Sequence, residues 1–291
     1  MISVFLMGGL GNQLFQIFFL ISYSFRYKLA FKLPYAEKNI NGCTERATYW
    51  TNLLKSLTPF TIKNVPLPLK DIMDTKYIHI PEEDNVMFRG YFQSHKYFED
   101  QFENVCKIIK LNDSLNDVNT QYMSNTKYLD VDVSVHFRWG DYKQLTDYHP
   151  ILPMTYYRDA LLYVNEKREI KKILCFCEKE DMVNIMNCIK YTLDETPELK
   201  NIIVEMVENN IPDYKQMLMM SLCKHNIIAN STFSWWGAYF NKNTDKIVCY
   251  PETWFGPLNK SDVTDLFPES WKMIKCNSEH KINNFQMSML R

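Results

Sequence analysis

Residues 131–250 alternate short apolar runs with longer segments of helical periodicity, and this alternation restricts the chain to few folds. The strand-like runs are Val131–Phe137, Lys172–Cys177, Ile202–Glu205, Asn226–Ala229 and Lys246–Tyr250. The helix-like segments between them are Thr155–Lys167, Glu180–Lys190, Asp213–Lys224 and Phe233–Asn241. Strands and helices that alternate at these lengths predict an α/β domain, in which helices cover both faces of a parallel sheet.

The first half of the chain begins in the same way. We expect a strand at Ile2–Leu6, a loop at Gly8–Gln13 and a helix at Leu14–Tyr27, followed by short strands. Those strands are Leu29–Leu33, Tyr77–Ile80 and Val86–Phe92. Residues 107–130 are polar and weakly periodic, which indicates a linker or surface excursion. The pattern predicts two Rossmann-type domains, residues 1–125 and 126–291, that face a cleft, with the last helix a candidate to pack back on the first domain.

The charge and hydropathy of the chain exclude two classes of partner. A net charge of −1 over 291 residues leaves no electrostatic footprint for nucleic acid. The apolar N-terminal stretch lacks a basic start, and Gly8, Gly9 and Gly11 interrupt it, so it is too short for an integral membrane span. None of the eight cysteines forms a C-x-x-C pair, which favours reduced core thiols in a cytoplasmic protein. Peripheral attachment to a membrane is compatible with this location.

The segment His136–Tyr142 follows the first strand of the second half. His136 and Arg138 are separated by one residue, so both side chains point the same way at the end of that strand. Gly140 allows a sharp turn, and Asp141 can anchor it. Ligands bind at the carboxyl ends of parallel strands, where an Arg suits an anion such as phosphate. A structural ion pair is an equally good interpretation of the segment alone.

Two further segments combine a strand end with polar residues that can contact a ligand. Gly8–Gln16 matches neither the G-x-G-x-x-G fingerprint nor a Walker A loop, and a tight strand–helix turn explains its glycines. The amides of Asn12 and Gln13 favour ligand contacts as well. Asn230–Ala238 opens a helix with three hydroxyls and an Asn, where capping needs only one hydroxyl. The surplus favours phosphate binding at the helix start.

Five segments in this order resemble glycosyltransferase family 11, the α-1,2-fucosyltransferases. They are Gly8–Gln16, Gly90–Phe98, His136–Tyr142, His225–Gly237 and Pro251–Phe255. The resemblance implies a GT-B-like architecture, with the acceptor mainly on the first domain and the donor on the second. It also implies inverting transfer of L-fucose from GDP-β-L-fucose to a terminal galactose on a glycan, without metal or other cofactor.

The implied reaction assigns roles to particular residues. Without a metal, protein donors must stabilise the charge on departing GDP, and Arg138 is the first candidate. The remaining substrate-binding candidates are Asn12, Gln13, His136, Asp213, Asn230, Ser231, Thr232, Phe233 and Ser234. Asp147 and His149, in the loop after the His136 segment, are candidates for the base that removes the acceptor proton, although ordinary loop polarity also explains each of them. Asp141 more readily anchors the loop.

Three features leave alternatives open. Asp130-Val131-Asp132 has the D-x-D spacing of metal-binding transferases, yet it lies at the start of a strand, away from the ligand edge, so we expect no metal there. Trp139 stands where the family usually has a second Arg, which favours an inactive nucleotide- or glycan-binding relative. The scaffold is also compatible with a protein O-fucosyltransferase-like enzyme. Nothing in the sequence identifies the acceptor glycan or the oligomeric state.

Overall fold

A computed structural model describes residues 1–41, 44–65, 70–74, 76–277 and 281–290. The chain divides into two compact units. The first comprises residues 1–116 and 261–268, and the second comprises residues 117–260 and 269–291. The segment at 261–268 therefore belongs with the first unit, although the sequence alone places it with the second.

The first unit is built on a parallel three-stranded sheet. Its strands are β1 (Ser3–Val4), β2 (Leu33–Pro34), β3 (Lys38–Asn41), β4 (Thr44–Ala47), β5 (Thr61–Ile62), β6 (Lys70–Met73) and β7 (Val86–Arg89). Strands β1, β7 and β6 form the sheet in that order, β2 pairs with β5, and β3 forms a hairpin with β4. Helix α1 (Leu10–Tyr27) buries its aromatic stripe here, and the ring of Phe19 stacks on that of Phe92 at 3.9 Å.

Two predictions for this half of the chain are wrong in detail. Helix α1 begins at Leu10 rather than Leu14, because the N–H of Gln13 already bonds to the carbonyl of Gly9. Residues 77–80 are not a strand, since the hydroxyl of Tyr27 bonds to the carbonyl of Ile80 and no ladder forms among the described residues there. Neither difference moves the polar residues of the Gly8–Gln16 segment away from the end of β1.

Residues 107–130 are largely helical rather than a linker. Helix α2 (Phe102–Ile108) is followed by α3 (Leu111–Val118) and by a π-helical turn at Asn119–Met123. Leu111, Leu115 and Val118 are buried at the i, i+4 and i+7 spacing of one helix face. The many Asn and Asp residues between them conceal this spacing in the sequence.

The second unit carries a six-stranded parallel sheet. Its strands are β8 (Val133–His136), β9 (Lys172–Phe176), β10 (Ile203–Met206), β11 (His225–Ile227), β12 (Val248–Pro251) and β13 (Lys272–Ile274). They lie in the order β10-β9-β8-β11-β12-β13. The connecting helices are α4 (Met154–Lys167), α5 (Met182–Asp194), α6 (Asp213–Ser221) and α7 (Thr232–Tyr239). Parallel sheets with connecting helices in both units confirm the predicted α/β class.

The last helix, α8 (Lys281–Met289), packs within the second unit, whereas the sequence suggested a return to the first. Its side chains bind the start of α4. Gln286 accepts a hydrogen bond from the N–H of Met154 at 2.9 Å, and Asn283 accepts one from the N–H of Thr155 at 3.0 Å. Because the first amides of a helix lack partners within the helix, this contact explains why α8 lies here.

Residues at the start of β8 have structural roles. Asp132 accepts hydrogen bonds from the N–H groups of Lys171 and Lys172 at 2.8 and 3.0 Å and pairs with the ammonium of Lys224 at 2.7 Å. The carboxylate of Asp132 is therefore hydrogen-bonded at the start of β8, as expected for a residue that begins a strand.

All seven described cysteines are free thiols, while Cys43 lies outside the described residues. In the described part of the chain, no helix combines the length and apolarity needed to cross a bilayer.

Candidate functional site

Arg138 lies just beyond the carboxyl end of β8 and is held by two carboxylates. Its guanidinium donates to Asp141 at 2.5 Å and pairs with Glu178, which follows the neighbouring strand β9. The side chain remains 23% exposed. The structure thus contains the ion pair that the sequence suggested as one interpretation, and it leaves part of the Arg138 side chain exposed at the ligand edge of the sheet.

Aromatic rings extend this edge on the side of Arg138 that faces the loop after it. The guanidinium carbon lies 5.0 Å from the centroid of the Tyr142 ring. Tyr142 stacks on His149 at 4.7 Å and an interplanar angle of 18°, and Phe255 lies 5.8 Å from His149. Arg138 and His149 are therefore connected through a single ring, Tyr142.

His149 is half-buried within this stack. Burial lowers the pKa of His149, Asp141 acts against this by raising it, and the charge of Arg138 lowers it further. The ring is therefore uncharged near neutral pH. Its Nδ1 is buried and has no hydrogen-bond partner among the residues that the structure describes.

Asn230 joins three loops at the same edge. The side-chain NH₂ of Asn230 donates to the backbone carbonyls of Pro150 at 2.9 Å and Trp254 at 3.2 Å. The backbone carbonyl of Asn230 accepts a hydrogen bond from the hydroxyl of Tyr142 at 3.2 Å. The side-chain oxygen is buried and unpaired within the described part of the chain. Asn230 therefore fixes the start of α7 beside the loop of Arg138.

The hydroxyls that follow Asn230 are partly used by the helix itself. Ser231 caps α7 by accepting from the N–H of Phe233 at 3.3 Å, and the hydroxyl of Ser234 donates to the carbonyl of Ser231 at 3.3 Å. Thr232 is the first residue of the helix and is partly exposed. The hydroxyl of Tyr142, in the turn after Arg138, donates to the carbonyl of Asn230, so this turn and the start of α7 lie at the same edge of the sheet.

His136 is buried beneath this site. Its ring centroid lies 5.6 Å from that of Phe233. Burial and, secondly, the charge of Arg138 lower the pKa of His136 to about 3, so the imidazole is neutral. Its Nδ1 has no hydrogen-bond partner in the described residues.

The loop that carries Asp147 is packed against a glycine. The N–H of Leu258 bonds to the carbonyl of Asp147 at 3.0 Å, and a Cβ on Gly256 would lie 2.3 Å from that carbonyl oxygen. The Asp147 side chain is exposed. A glycine at 256 is thus required for the loop to approach the residues after β12.

Asp213 is the first residue of α6, which connects the edge strand β10 to β11. Its carboxylate accepts a hydrogen bond from the N–H of Tyr214 at 2.7 Å. Helix α6 packs against α7, the helix that follows Asn230. The role of Asp213 in binding the nucleotide stays a prediction.

Asn12 and Gln13, the two candidate binding residues of the first unit, differ in how far their side chains are exposed. Gln13 is fully buried and its amide nitrogen donates to the carbonyls of Gly8 at 3.0 Å and Ala47 at 2.9 Å, so this nitrogen holds the loop. The buried side-chain oxygen of Gln13 has no hydrogen-bond partner among the described residues, and its binding role stays a prediction. Asn12 is partly exposed and accepts from the amide of Gln93 at 2.9 Å. Gly8, at φ +78°, is needed because a Cβ there would lie 2.4 Å from the Asn12 amide nitrogen.

Two acidic residues of the second unit were missed. Glu178 and Asp181 follow β9, and both contact the segment after β8. The rule that singled out Arg138, a charged residue at the carboxyl end of a parallel strand, applies equally to them. In the part of the chain that the structure describes, no group of three or more His, Cys, Asp or Glu residues is placed to hold a metal ion.

Comparison with known proteins gives one family and two curated relatives. The profile of Glycosyl transferase family 11 matches residues 1–275. The O-antigen biosynthesis glycosyltransferase WbnK of Escherichia coli is 37% identical over 143 residues, which cover 47% of this chain and 43% of that protein. The chain therefore matches less than half of the length of WbnK. An alpha-1,2-colitosyltransferase of Escherichia coli is 29% identical over 207 residues, which cover 69% of this chain and 67% of that protein.

Two solved structures show more distant similarity. A mutant of Arabidopsis thaliana FUT1 in complex with GDP has a TM-score of 0.46 at 11% identity and covers 96% of this chain and 77% of its own. A glycosyl transferase of family 9 from Veillonella parvula has a TM-score of 0.44 at 12% identity and covers 94% of this chain and 85% of its own.

Proposed function

The chain belongs to glycosyltransferase family 11, and from this premise we propose that it transfers L-fucose from GDP-β-L-fucose to the 2-hydroxyl of a terminal galactose on a glycan, with inversion. The name of the alpha-1,2-colitosyltransferase relative supports the same linkage. The observation that carries the proposal is the position of Arg138 at the carboxyl end of β8, beside the start of α7.

This position suits the stabilisation of a departing nucleoside diphosphate. Negative charge develops on the β-phosphate as the bond to the sugar breaks, and a guanidinium already held at the ligand edge of the sheet would need little reorganisation to stabilise it. The amides at the start of α7 add a second set of donors. We assign Arg138 to the β-phosphate and Thr232, at the partly exposed first position of α7, to the phosphates as a supporting donor.

The carboxylates that hold Arg138 are poor candidates for the base. In an inverting displacement the leaving group and the acceptor hydroxyl lie on opposite faces of the anomeric carbon. Glu178 and Asp141 touch the guanidinium that we assign to the leaving group, so they orient Arg138. His149 and Asp147 remain the candidates for the base. Of these two, His149 is neutral because of its lowered pKa and can accept a proton.

A second donor is favoured by one relative. Because an alpha-1,2-colitosyltransferase is 29% identical to this chain, activated colitose is an alternative to GDP-fucose. The arrangement around Arg138 contacts phosphate in either case and does not distinguish the two sugars. We expect neither donor to require a metal, and we expect a cytoplasmic reaction.

The proposal is tested by incubating the purified protein with GDP-fucose or GDP-colitose and a panel of β- and α-galactosides. We expect a product whose NMR spectrum shows a new α-1,2 linkage on galactose with one of the donors. A matched panel of serine- and threonine-containing peptides controls for transfer to protein. Transfer to a peptide, or binding of GDP in calorimetry without turnover on any acceptor, would contradict the proposal.

A further inference from the structure

Asp181 is a fully buried carboxylate next to the candidate site, and its hydrogen-bond partners come from the segment after β8. It accepts from the N–H of Gly140 at 2.8 Å and pairs with the ammonium of Lys143. It immediately precedes α5, yet its side chain makes no capping bond to that helix in the described structure. Since burial of an unpaired carboxylate is costly, these two partners account for the burial of Asp181.

The partners of Asp181 both follow Arg138 closely on the chain. Gly140 follows Arg138 by two residues and begins the 3-10 turn Gly140–Gln144, which also contains Lys143. At φ +26°, Gly140 is so close to Glu178 that a Cβ there would lie 3.0 Å from its carboxyl carbon. The segment after β9 therefore holds Arg138 in two ways, by its guanidinium through Glu178 and by the following backbone through Asp181.

Trp139 secures the same turn from the core side. Its ring is fully buried in the hydrophobic core of the second unit, and the Lys143 ammonium lies 5.8 Å from the ring centroid. The Trp139 side chain is anchored in the core and the N–H of Gly140 is bonded to Asp181. The backbone at the start of the turn is therefore fixed at two consecutive residues. Arg138, which precedes Trp139, then has little freedom to leave the edge of the sheet.

We propose that Asp181 is a positioning residue of the transferase: its bond to the N–H of Gly140 holds the turn after β8, so that Arg138 faces the leaving phosphate. The inference rests on the proposed role of Arg138. Asp181 itself does not touch the substrate. Lys143 neutralises the buried carboxylate, and the acceptor oxygen offered to Gly140 is the part of Asp181 that matters for turnover.

The test compares two double variants that differ only in that acceptor. Asp181→Asn with Lys143→Met keeps an oxygen of similar position, whereas Asp181→Leu with Lys143→Met has none. Neither variant leaves a buried unpaired charge, and apolar replacement of a buried ion pair is often neutral for stability, so both are expected to fold. Thermal melting followed by circular dichroism verifies this, and Glu180→Gln, at an exposed neighbouring acid, is the matched control.

We expect the Leu double variant to lose about 100-fold in kcat, the effect of a misplaced catalytic group, with the KM for the acceptor unchanged. The Asn double variant should retain most of the wild-type kcat. Adding the Leu double substitution to Arg138→Ala should cause no loss beyond that of Arg138→Ala alone, because Asp181 acts through Arg138. Equal kcat values for the two folded double variants, or fully additive losses with Arg138→Ala, would overturn the inference.

These outcomes separate the inference from the proposed function. If Arg138→Ala alone keeps full transferase activity, the role of Arg138 is wrong and the proposal for Asp181 fails with it. If Arg138→Ala is inactive while the Leu double variant is fully active, the proposed function stands and only the positioning role of Asp181 is refuted.

Discussion

The carboxylate of Glu178 pairs with the guanidinium of Arg138 because the register of β8 and β9 places them opposite each other. His136 is aligned with Phe176 at the ends of the two strands, and Arg138 and Glu178 each lie two residues further on. The ion pair is therefore a consequence of strand register. It orients an Arg at the ligand edge while leaving 23% of its side chain exposed.

Replacement of Arg138 should reduce turnover far more than it reduces stability. Loss of one electrostatic donor at a developing negative charge costs about 10²–10³ in kcat, and we expect this loss for Arg138→Ala. Arg138→Lys should recover only part of it, because an ammonium does not reproduce the bidentate fork. Steady-state kinetics with the preferred donor, together with a circular dichroism melt, provide the measurement. Near-normal turnover by a folded Arg138→Ala variant would remove this residue from the mechanism.

Removal of Glu178 should separate nucleotide binding from turnover. A carboxylate beside the proposed phosphate position repels the nucleotide, so Glu178→Ala should bind GDP more tightly in isothermal titration calorimetry. The same change releases the guanidinium from its fixed direction, and kcat should fall. Glu178→Gln, which retains an acceptor oxygen, should preserve more of the kcat. Weaker GDP binding by Glu178→Ala would mean that Glu178 contacts the nucleotide favourably.

The regular alternation in the second half was sufficient to predict five of the six strands of its sheet, all except β13. Strands such as β8 and β9 are buried on both faces and read as apolar runs of typical strand length. Helix α3 was missed because Asn and Asp separate its three buried apolar residues. Residues 77–80 were misassigned because their backbone partners are side chains far away in sequence, such as Tyr97, whose hydroxyl accepts from the N–H of Ile78.

The candidate site, like the fold, could be predicted from the sequence only in part. Arg138 and Asn230 could be predicted, since each follows a recognisable strand and the carboxyl ends of parallel strands share an edge. The pairing of Arg138 with Glu178 could not, because the strand order that makes β9 a neighbour of β8 is not written in either strand. The burial of Gln13 was equally hidden, because its second partner, the carbonyl of Ala47, lies beyond a hairpin turn whose position the sequence did not indicate.

Trp139 should not be replaceable by the second Arg that is usual in the family. The ring is fully buried among core residues, so Trp139→Arg would place a charge where the described residues offer no acceptor to the indole N–H. We expect a loss of about 3–5 kcal/mol in the free energy of unfolding, the range of large core deletions. Chemical denaturation measures it, with Trp139→Phe, which keeps a smaller apolar ring in the core, as the milder comparison. A Trp139→Arg variant of native stability would show that the core can open here.

Transfer should proceed in the presence of a chelator. In the D-x-D motif at residues 130–132, the carboxylate of Asp132 accepts hydrogen bonds from two backbone N–H groups and from the ammonium of Lys224 at the start of β8. We therefore expect that this motif does not bind a catalytic metal. Activity in EDTA should equal activity in added Mn²⁺ or Mg²⁺. The control is Asp130→Asn, at the exposed acid of the pair, which should change neither rate. Abolition by EDTA with recovery in Mn²⁺ would contradict metal-independent catalysis.

His136 should make the protein less stable as the pH falls below 6.5. Burial, aided by Arg138, lowers its pKa from the ordinary 6.5 to about 3 in the folded state. Between these two values the unfolded chain binds a proton that the folded chain does not, so the free energy of unfolding decreases by about 1.4 kcal/mol per pH unit from this group. Above pH 6.5 both states are neutral at this residue, and the contribution is constant. Urea denaturation at pH 7.5, 6.0 and 5.0 measures the slope, which should be smaller in His136→Gln. An unchanged slope in a folded His136→Gln variant would show that the acid sensitivity arises elsewhere, with the half-buried His149 and His225, whose pKa values are also lowered, as the next residues to replace.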